Sequence, residues 1–178
     1  MARRKWCTTW GCCLMAVICW LSTACKDGRV YDHYEHTAVD GWRPTDTLHF
    51  QIPPQKKGTY TLEVGLLTTG QYPYRDLSLV MNRKVVAAKE KTQDDKGHQQ
   101  KVRKGKTTKD YISCRLIDEK GNIRGVRGVS NNTSNFFITH LELNDKDSIY
   151  ITLRHHMKDT LLTGITAVGI RLYEGTRR

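Results

Sequence analysis

Residues Thr59 to Leu67 read TYTLEVGLL. Apolar side chains at Tyr60, Leu62, Val64 and Leu66 alternate with Thr59, Thr61 and Glu63, the period-two signature of a strand with one buried face. The pattern recurs on both sides of this stretch. Leu48, Phe50 and Ile52 alternate with Thr47, His49 and Gln51 until Pro53-Pro54, which cannot donate to a ladder, ends the run. DLSLVM aligns Leu77, Leu79 and Met81, and Ile112, Cys114 and Leu116 follow suit before the turn DEKGN. SNFFITHLEL aligns Phe137, Leu141 and Leu143; after the turn NDKD, SIYITL aligns Ile149, Ile151 and Leu153. TAVGIRLY aligns Val168, Ile170 and Leu172, with Gly169 on the opposite face, where a neighbouring backbone can come close. Only RHHMKDTLL has room for a helical turn. Seven or eight short strands between turn signals, with no sustained 3.6-residue period, predict an all-β antiparallel sandwich of jelly-roll-like type.

Upstream of the strands the chain reads as an export signal. Arg3, Arg4 and Lys5 form a positive n-region, and Trp10 to Leu21 is uncharged and mostly apolar. Twelve residues are too few to cross a bilayer, which takes roughly 20 at about 1.5 Å of rise each. Residues 1–24 are therefore expected to be removed. Ser22-Thr23-Ala24 suits the general signal peptidase, yet small residues before a cysteine also describe a lipobox, in which that cysteine is diacylated and becomes the new N-terminus. The usual lipobox has leucine three residues before the cysteine, whereas Leu21 stands four before Cys25. Cys25 is at the front in either case. Its lipidation is the reading adopted, since each buried methylene contributes about 0.8 kcal/mol and two or three acyl chains anchor a domain firmly. Residues 25–43 then read as lipid anchor and polar tether, and 44–178 as the sandwich.

Cysteine usage fits this scheme. Of six cysteines, Cys7, Cys12, Cys13 and Cys19 leave with the signal and Cys25 takes the lipid, so only Cys114 remains. One thiol makes no intramolecular disulfide. Cys114, between apolar neighbours at alternate positions, reads as a small buried hydrophobe and not as a nucleophile.

The formal charge of +11 falls to +8 without the signal, and Arg83 to Lys109 alone holds ten basic and three acidic residues. KEKTQDDKGHQQKVRKGKTTKD is polar and has no aromatic to stack a base, and an exported chain meets little nucleic acid; nucleic acid is not an expected partner. Residues 83–109 read as a long loop between two strands. Two readings of it stand: a solvated loop with no partner, or an electrostatic contact with anionic headgroups or an acidic surface through Lys89, Lys91, Lys101, Arg103, Lys104, Lys106 and Lys109.

Chemistry-bearing motifs are few. Asp32, His33, Glu35 and His36 in DHYEH would place two imidazoles together only on a helix, and the tether predicts none, so no metal is expected. His155 and His156, being adjacent, point to opposite sides. There is no Gly-x-Ser-x-Gly, His-Glu-x-x-His or phosphate-cradling glycine loop, hence no support for an enzyme or a cofactor. QYPYRDL is the foremost candidate surface. Pro73 lacks a donor and fixes φ near −65°, making a rigid bend. Tyr72 and Tyr74 serve either as amphipathic partner contacts or as a pair sealing one end of the sandwich, and Arg75-Asp76 reads as a surface ion pair.

Taken in order, these pieces resemble the GldH family of gliding-motility lipoproteins. The likeness covers nearly all of the mature chain and is carried by the lipid cysteine followed by RVYDHYEH, by Gly41-Trp42 before DTLHFQI, and above all by TTGQYPYRDLSLVM. LIDEKGNIRG and LRHHMKDTLLTGITAVGIRL complete it, with Met157-Lys158 where the family has Met-Arg, and with Gly164-Ile165 and Gly169 in register. Two features depart from the family: NIRGVRGV stands where it has a tryptophan and Gly-Lys-Gly, and the basic loop is long and charged. The resemblance implies a non-catalytic cell-envelope lipoprotein needed for surface gliding and associated with the machinery that moves and secretes adhesins. Protein partners from that assembly and a membrane contact through the lipid are expected. Lys26-Asp27 lacks the acidic residue directly after the cysteine that retains some lipoproteins in the inner membrane, which points to the periplasmic face of the outer membrane. The alternative is an envelope module that binds a glycan or peptide and is unrelated to motility.

Overall fold

In the computed structural model, which describes residues 27–87 and 105–176, the alternating stripes become strands around one interior. They are β1 (Arg29–His36), β2 (Leu48–Gln55), β3 (Gly58–Thr68), β4 (Asp76–Val86), β5 (Lys106–Arg115), β6 (Val126–Arg127), β7 (Asn132–Leu143), β8 (Asp147–His155) and β9 (Ile165–Glu174). One sheet has the order β1-β9-β3-β7-β6 and the other β2-β8-β4-β5, with every neighbouring pair antiparallel. Setting aside the two-residue β6, every connection crosses from one sheet to the other except β4–β5, which gives the orders β1-β9-β3-β7 and β2-β8-β4-β5 of two Greek keys. The fold is a jelly-roll sandwich.

The stripes read from the sequence face each other. Leu62, Val64 and Leu66 of β3 and Val168, Ile170 and Leu172 of β9 meet Leu77, Leu79 and Met81 of β4 and Ile149, Ile151 and Leu153 of β8, all buried. Cys114 joins this core as a free thiol, its pKa pushed up to about 12 by burial. At roughly 1.5–3 kcal/mol for each fully buried aliphatic side chain, this interior, with no disulfide among the described residues, is what holds the sheets together.

Several expectations are corrected. The segment read as tether is strand β1, paired with β9 from Arg29↔Tyr173 to His36↔Ala167, and Trp42 beyond it is completely buried; the free backbone edge of β9 outweighs the polar character of RVYDHYEH. Phe137 does not share a face with Leu141 and Leu143. A β-bulge opposite Leu62 and Glu63 inserts Ile138, which turns Phe137 outward, 55 % exposed, while Phe136 packs on the core. RHHMKDTLL forms no helix, since β8 runs on to His155 and irregular chain follows. The basic loop is shorter than 83–109: β4 extends to Val86 and β5 begins at Lys106, with Val85 opposite Lys106. Arg83 lies inward on β4, 8 % exposed and 3.4 Å from Asp110 of β5. β2 also continues past Pro53-Pro54 to Gln55, with the register to β8 shifting between Ile52 and Gln55; edge strands tolerate prolines at such irregularities.

Gly169 meets an aromatic ring and not a backbone. It lies opposite both Tyr34 and Gly65, and a Cβ on either glycine would fall within 2.6 Å of the Tyr34 side chain. The Tyr34 ring therefore lies flat across two glycines, covering the outer face where side chains are missing.

Candidate functional site at one end of the sandwich

The topology gathers the connections into two groups. Residues 37–47, 69–75, 116–131 and 156–164 lie at one end, where His36, Thr68, Arg115 and His155 finish their strands. The β2–β3 and β7–β8 turns and both ends of the β4–β5 connection lie at the other. The sequence-predicted sites are thereby separated: Tyr72 to Asp76 sits at the first end and Lys106 at the second. Lys109 lies within β5, its ammonium 5.2 Å from the centre of the Tyr111 ring. Cys25, Lys89, Lys91, Lys101, Arg103 and Lys104 fall outside the described residues.

Tyr72 is half-buried and closes its own loop, donating a 2.9 Å hydrogen bond to the Asp76 carbonyl. Burial raises the phenol pKa, with Tyr74 adding to the effect. The Tyr72 and Tyr74 rings meet edge to face at 5.8 Å, and the Tyr74 hydroxyl donates to Asp159 of the β8–β9 connection. Behind them, Gly164 at φ 81° comes so close that a Cβ there would lie 2.3 Å from the Tyr72 nitrogen, and its carbonyl accepts the Thr69 N–H at 2.8 Å. Only glycine fits that contact.

Arg75 and Asp76 do not pair with each other. The Arg75 guanidinium donates to the Asp118 carbonyl at 2.6 Å, while Asp76 accepts from Arg115 at 3.4 Å. The Arg75 carbonyl takes the N–H groups of Leu116 and Ile117 at 2.8 and 3.1 Å. Asp118 organises the next turn, holding the Lys120 and Asn122 N–H groups at 2.9 and 2.8 Å, and the Asn122 donors keep its carboxyl below the usual range. Arg115, Asp118, Glu119, Lys120, Asn122 and Arg124 line an open polar groove of about 430 Å³ beside the tyrosines.

Sequence reasoning missed the support beneath these loops. His155 is buried with Nε2 3.1 Å from the Trp42 carbonyl and Nδ1 accepting the Met157 N–H at 3.4 Å. Burial holds its pKa below the ordinary value. The Trp42 indole donates to the Asp46 carbonyl at 2.8 Å, and Trp42 and Leu162 exchange paired backbone bonds at 2.9 Å. The signal for His155 was present: it continues the inward series Ile149, Ile151, Leu153 by one more step of two.

These loops can present a rigid aromatic and charged surface. His33 and His36 of the DHYEH stretch fall on opposite faces of β1, and His33 lies 2.8 Å from Glu35. Among the described residues, no group of three or more His, Cys, Asp or Glu is placed to hold a metal ion, and no helix is long and apolar enough to cross a membrane.

The residues that meet here, Gly41-Trp42, Gln71 to Asp76, Met157 and Gly164, come from segments far apart in the sequence. The model of the GldH lipoproteins matches residues 29–96 and 97–172. The chain belongs to the GldH lipoprotein family. Among curated proteins, none matches it. The GldH match begins at the first residue of β1 and reaches into β9, so the pair of strands joining the two ends of the chain belongs to the family's domain. The stretch TTGQYPYRDLSLVM, within the first matched segment, runs from the end of β3 through the tyrosine loop into β4, and Gly164, which that loop requires, lies within the second.

Proposed function

We propose that the protein is a lipid-anchored component of a gliding-motility or adhesin-secretion assembly in the cell envelope, acting without catalysis and offering its tyrosine loop end to a protein partner. The observation that carries this reading is membership of the GldH lipoprotein family over residues 29–96 and 97–172. The geometry supports it. Tyr72, Pro73 and Tyr74 are held by Gly164, Asp159 and the Asp76 carbonyl, so a partner would meet a surface that loses little side-chain entropy on binding. Cys25 is the proposed acylation site, and the periplasmic face of the outer membrane the proposed location.

The test begins with the mass of the N-terminal peptide from native protein beside a Cys25→Ala control; a diacylglyceryl adduct on Cys25 is expected. Affinity capture from detergent-solubilised envelopes then compares the native protein with Tyr74→Ala. Loss of co-purifying envelope machinery with an unchanged melting temperature supports the interface, and an unchanged set of partners removes it. The polar groove lined by Arg115, Asp118, Asn122 and Arg124 favours a second reading, a module that binds a glycan or peptide; retention on a glycan array, abolished by Arg115→Ala, would replace the first.

A further inference from the structure

The end of the sandwich opposite the tyrosine loop has its own chemistry. Lys56 and Lys57 form the β2–β3 turn, whose position is fixed by a 3.0 Å hydrogen bond from the Tyr60 hydroxyl to the Lys56 carbonyl. Lys146, at φ 62°, forms the β7–β8 turn, and its N–H donates to the Gln55 carbonyl at 2.7 Å, so three exposed lysines share one small surface. Lys106 begins β5 at the same end. None of these four is paired with a carboxylate among the described residues. Among the described residues the acidic residues nearby are Asp27, held by Arg29 at 2.5 Å; Asp147, buried and accepting the Asn144 N–H at 2.9 Å; and exposed Asp145, Glu174 and Glu142, the last opposite Thr59.

The chain also enters at this end. The Gly28 carbonyl accepts the Glu174 N–H at 2.7 Å, and the Gly175 N–H reaches the Thr59 carbonyl at 2.8 Å, two residues from Lys57. Cys25 is two residues before Asp27, and consecutive Cα atoms are about 3.8 Å apart. If Cys25 carries the lipid, this end cannot stand more than a few ångströms beyond the Debye length of about 8 Å from the bilayer.

We propose that this end of the sandwich lies against anionic phospholipid headgroups, with Lys56, Lys57, Lys106 and Lys146 making the contact. The proposal rests on Cys25 as the lipid site for its geometry. Its charge chemistry stands apart from that. The bilayer is the occupant because an anchor two residues from the body brings phosphate within reach of the lysines before any protein partner arrives. The tyrosine loop end then points away from the membrane.

The experiment uses native protein reconstituted in vesicles of phosphatidylcholine with or without 30 % phosphatidylglycerol, labelled with an amine-reactive ester and read by peptide mass. On anionic vesicles the four lysines are expected to label at least about fivefold more slowly than on neutral ones, with protection lost in 1 M salt. Lys120 and Lys158 at the other end should label equally on both. Equal labelling of all six overturns the proposal. If the N-terminal peptide proves unacylated, the anchor of the proposed function fails, and the mature chain is floated with the same vesicles. Binding to anionic vesicles that Lys56→Gln, Lys57→Gln, Lys106→Gln and Lys146→Gln together reduce more than tenfold, at about fivefold per lysine, upholds the lysine surface. No binding, or binding unaffected by the four substitutions, overturns it.

Discussion

The two ends of the sandwich carry charge in opposite ways. At the tyrosine end three arginines are held internally: Arg43 pairs with Asp40 at 2.6 Å, Arg115 with Asp76 at 3.4 Å, and Arg75 donates to the Asp118 carbonyl. At the entry end Lys56, Lys57, Lys106 and Lys146 stand without such partners among the described residues. An exposed ion pair stabilises by under about 1 kcal/mol, so the internal pairs contribute less to stability than to fixing four loops in one arrangement. A fixed surface suits recognition by shape. Unpaired lysines on long stems suit a diffuse field of phosphates, which needs no register.

Breaking the tyrosine end should cost stability, and neutralising the entry end should not. Trp42→Ala removes a fully buried indole bonded to Asp46 and is expected to lower unfolding free energy by about 3–5 kcal/mol, read by urea denaturation. Gly164→Ala forces a Cβ against Tyr72 at positive φ and should cost about 1–3 kcal/mol. Gly121→Ala, also at positive φ but with open space around it, should cost only the conformational penalty of about 1–2 kcal/mol.

Acid should weaken the same end. His155 has a lowered pKa from burial, so below pH of about 6.5 the unfolded chain takes up a proton that the folded chain resists. Stability then falls as pH drops through that value towards the lowered pKa, by at most about 1.4 kcal/mol per pH unit. Protonating Nδ1 would set two donors against each other at the Met157 N–H. A His155→Gln variant, compared with the native chain by melting temperature from pH 7.5 to 5, should lose that part of the slope. The smallest effect is expected at the opposite end: the four lysine-to-glutamine changes together should stay within about 0.5 kcal/mol per site of native stability. A large loss there would mean those lysines hold structure, and the contrast between the ends would collapse.

Fold class was legible because alternation is a local property: β3, β4, β8 and β9 each show it without help from their neighbours. What escaped depended on distant residues. RVYDHYEH looks like a tether until β9 offers it an edge, and Phe137 looks inward until a bulge shifts the register by one. The site was legible as a motif and not as a structure. The Tyr-Pro-Tyr bend is visible in the sequence, but Gly164, which makes room for it, stands 92 residues from Tyr72. The partner of Asp76 was likewise hidden, since Arg115 reaches it only through β4–β5 pairing.

The position of β9 has a further consequence, for how the protein is made. β9, which follows the domain's other strands in the sequence, lies between β1 and β3 and pairs with both, so the five-stranded sheet has a gap between those two strands until β9 is available. Contacts such as Arg29 with Tyr173 demand closure of the longest loop in the domain, which places folding among the slower β topologies. The β1–β9–β3 part of the sheet therefore closes only once β9 has been delivered.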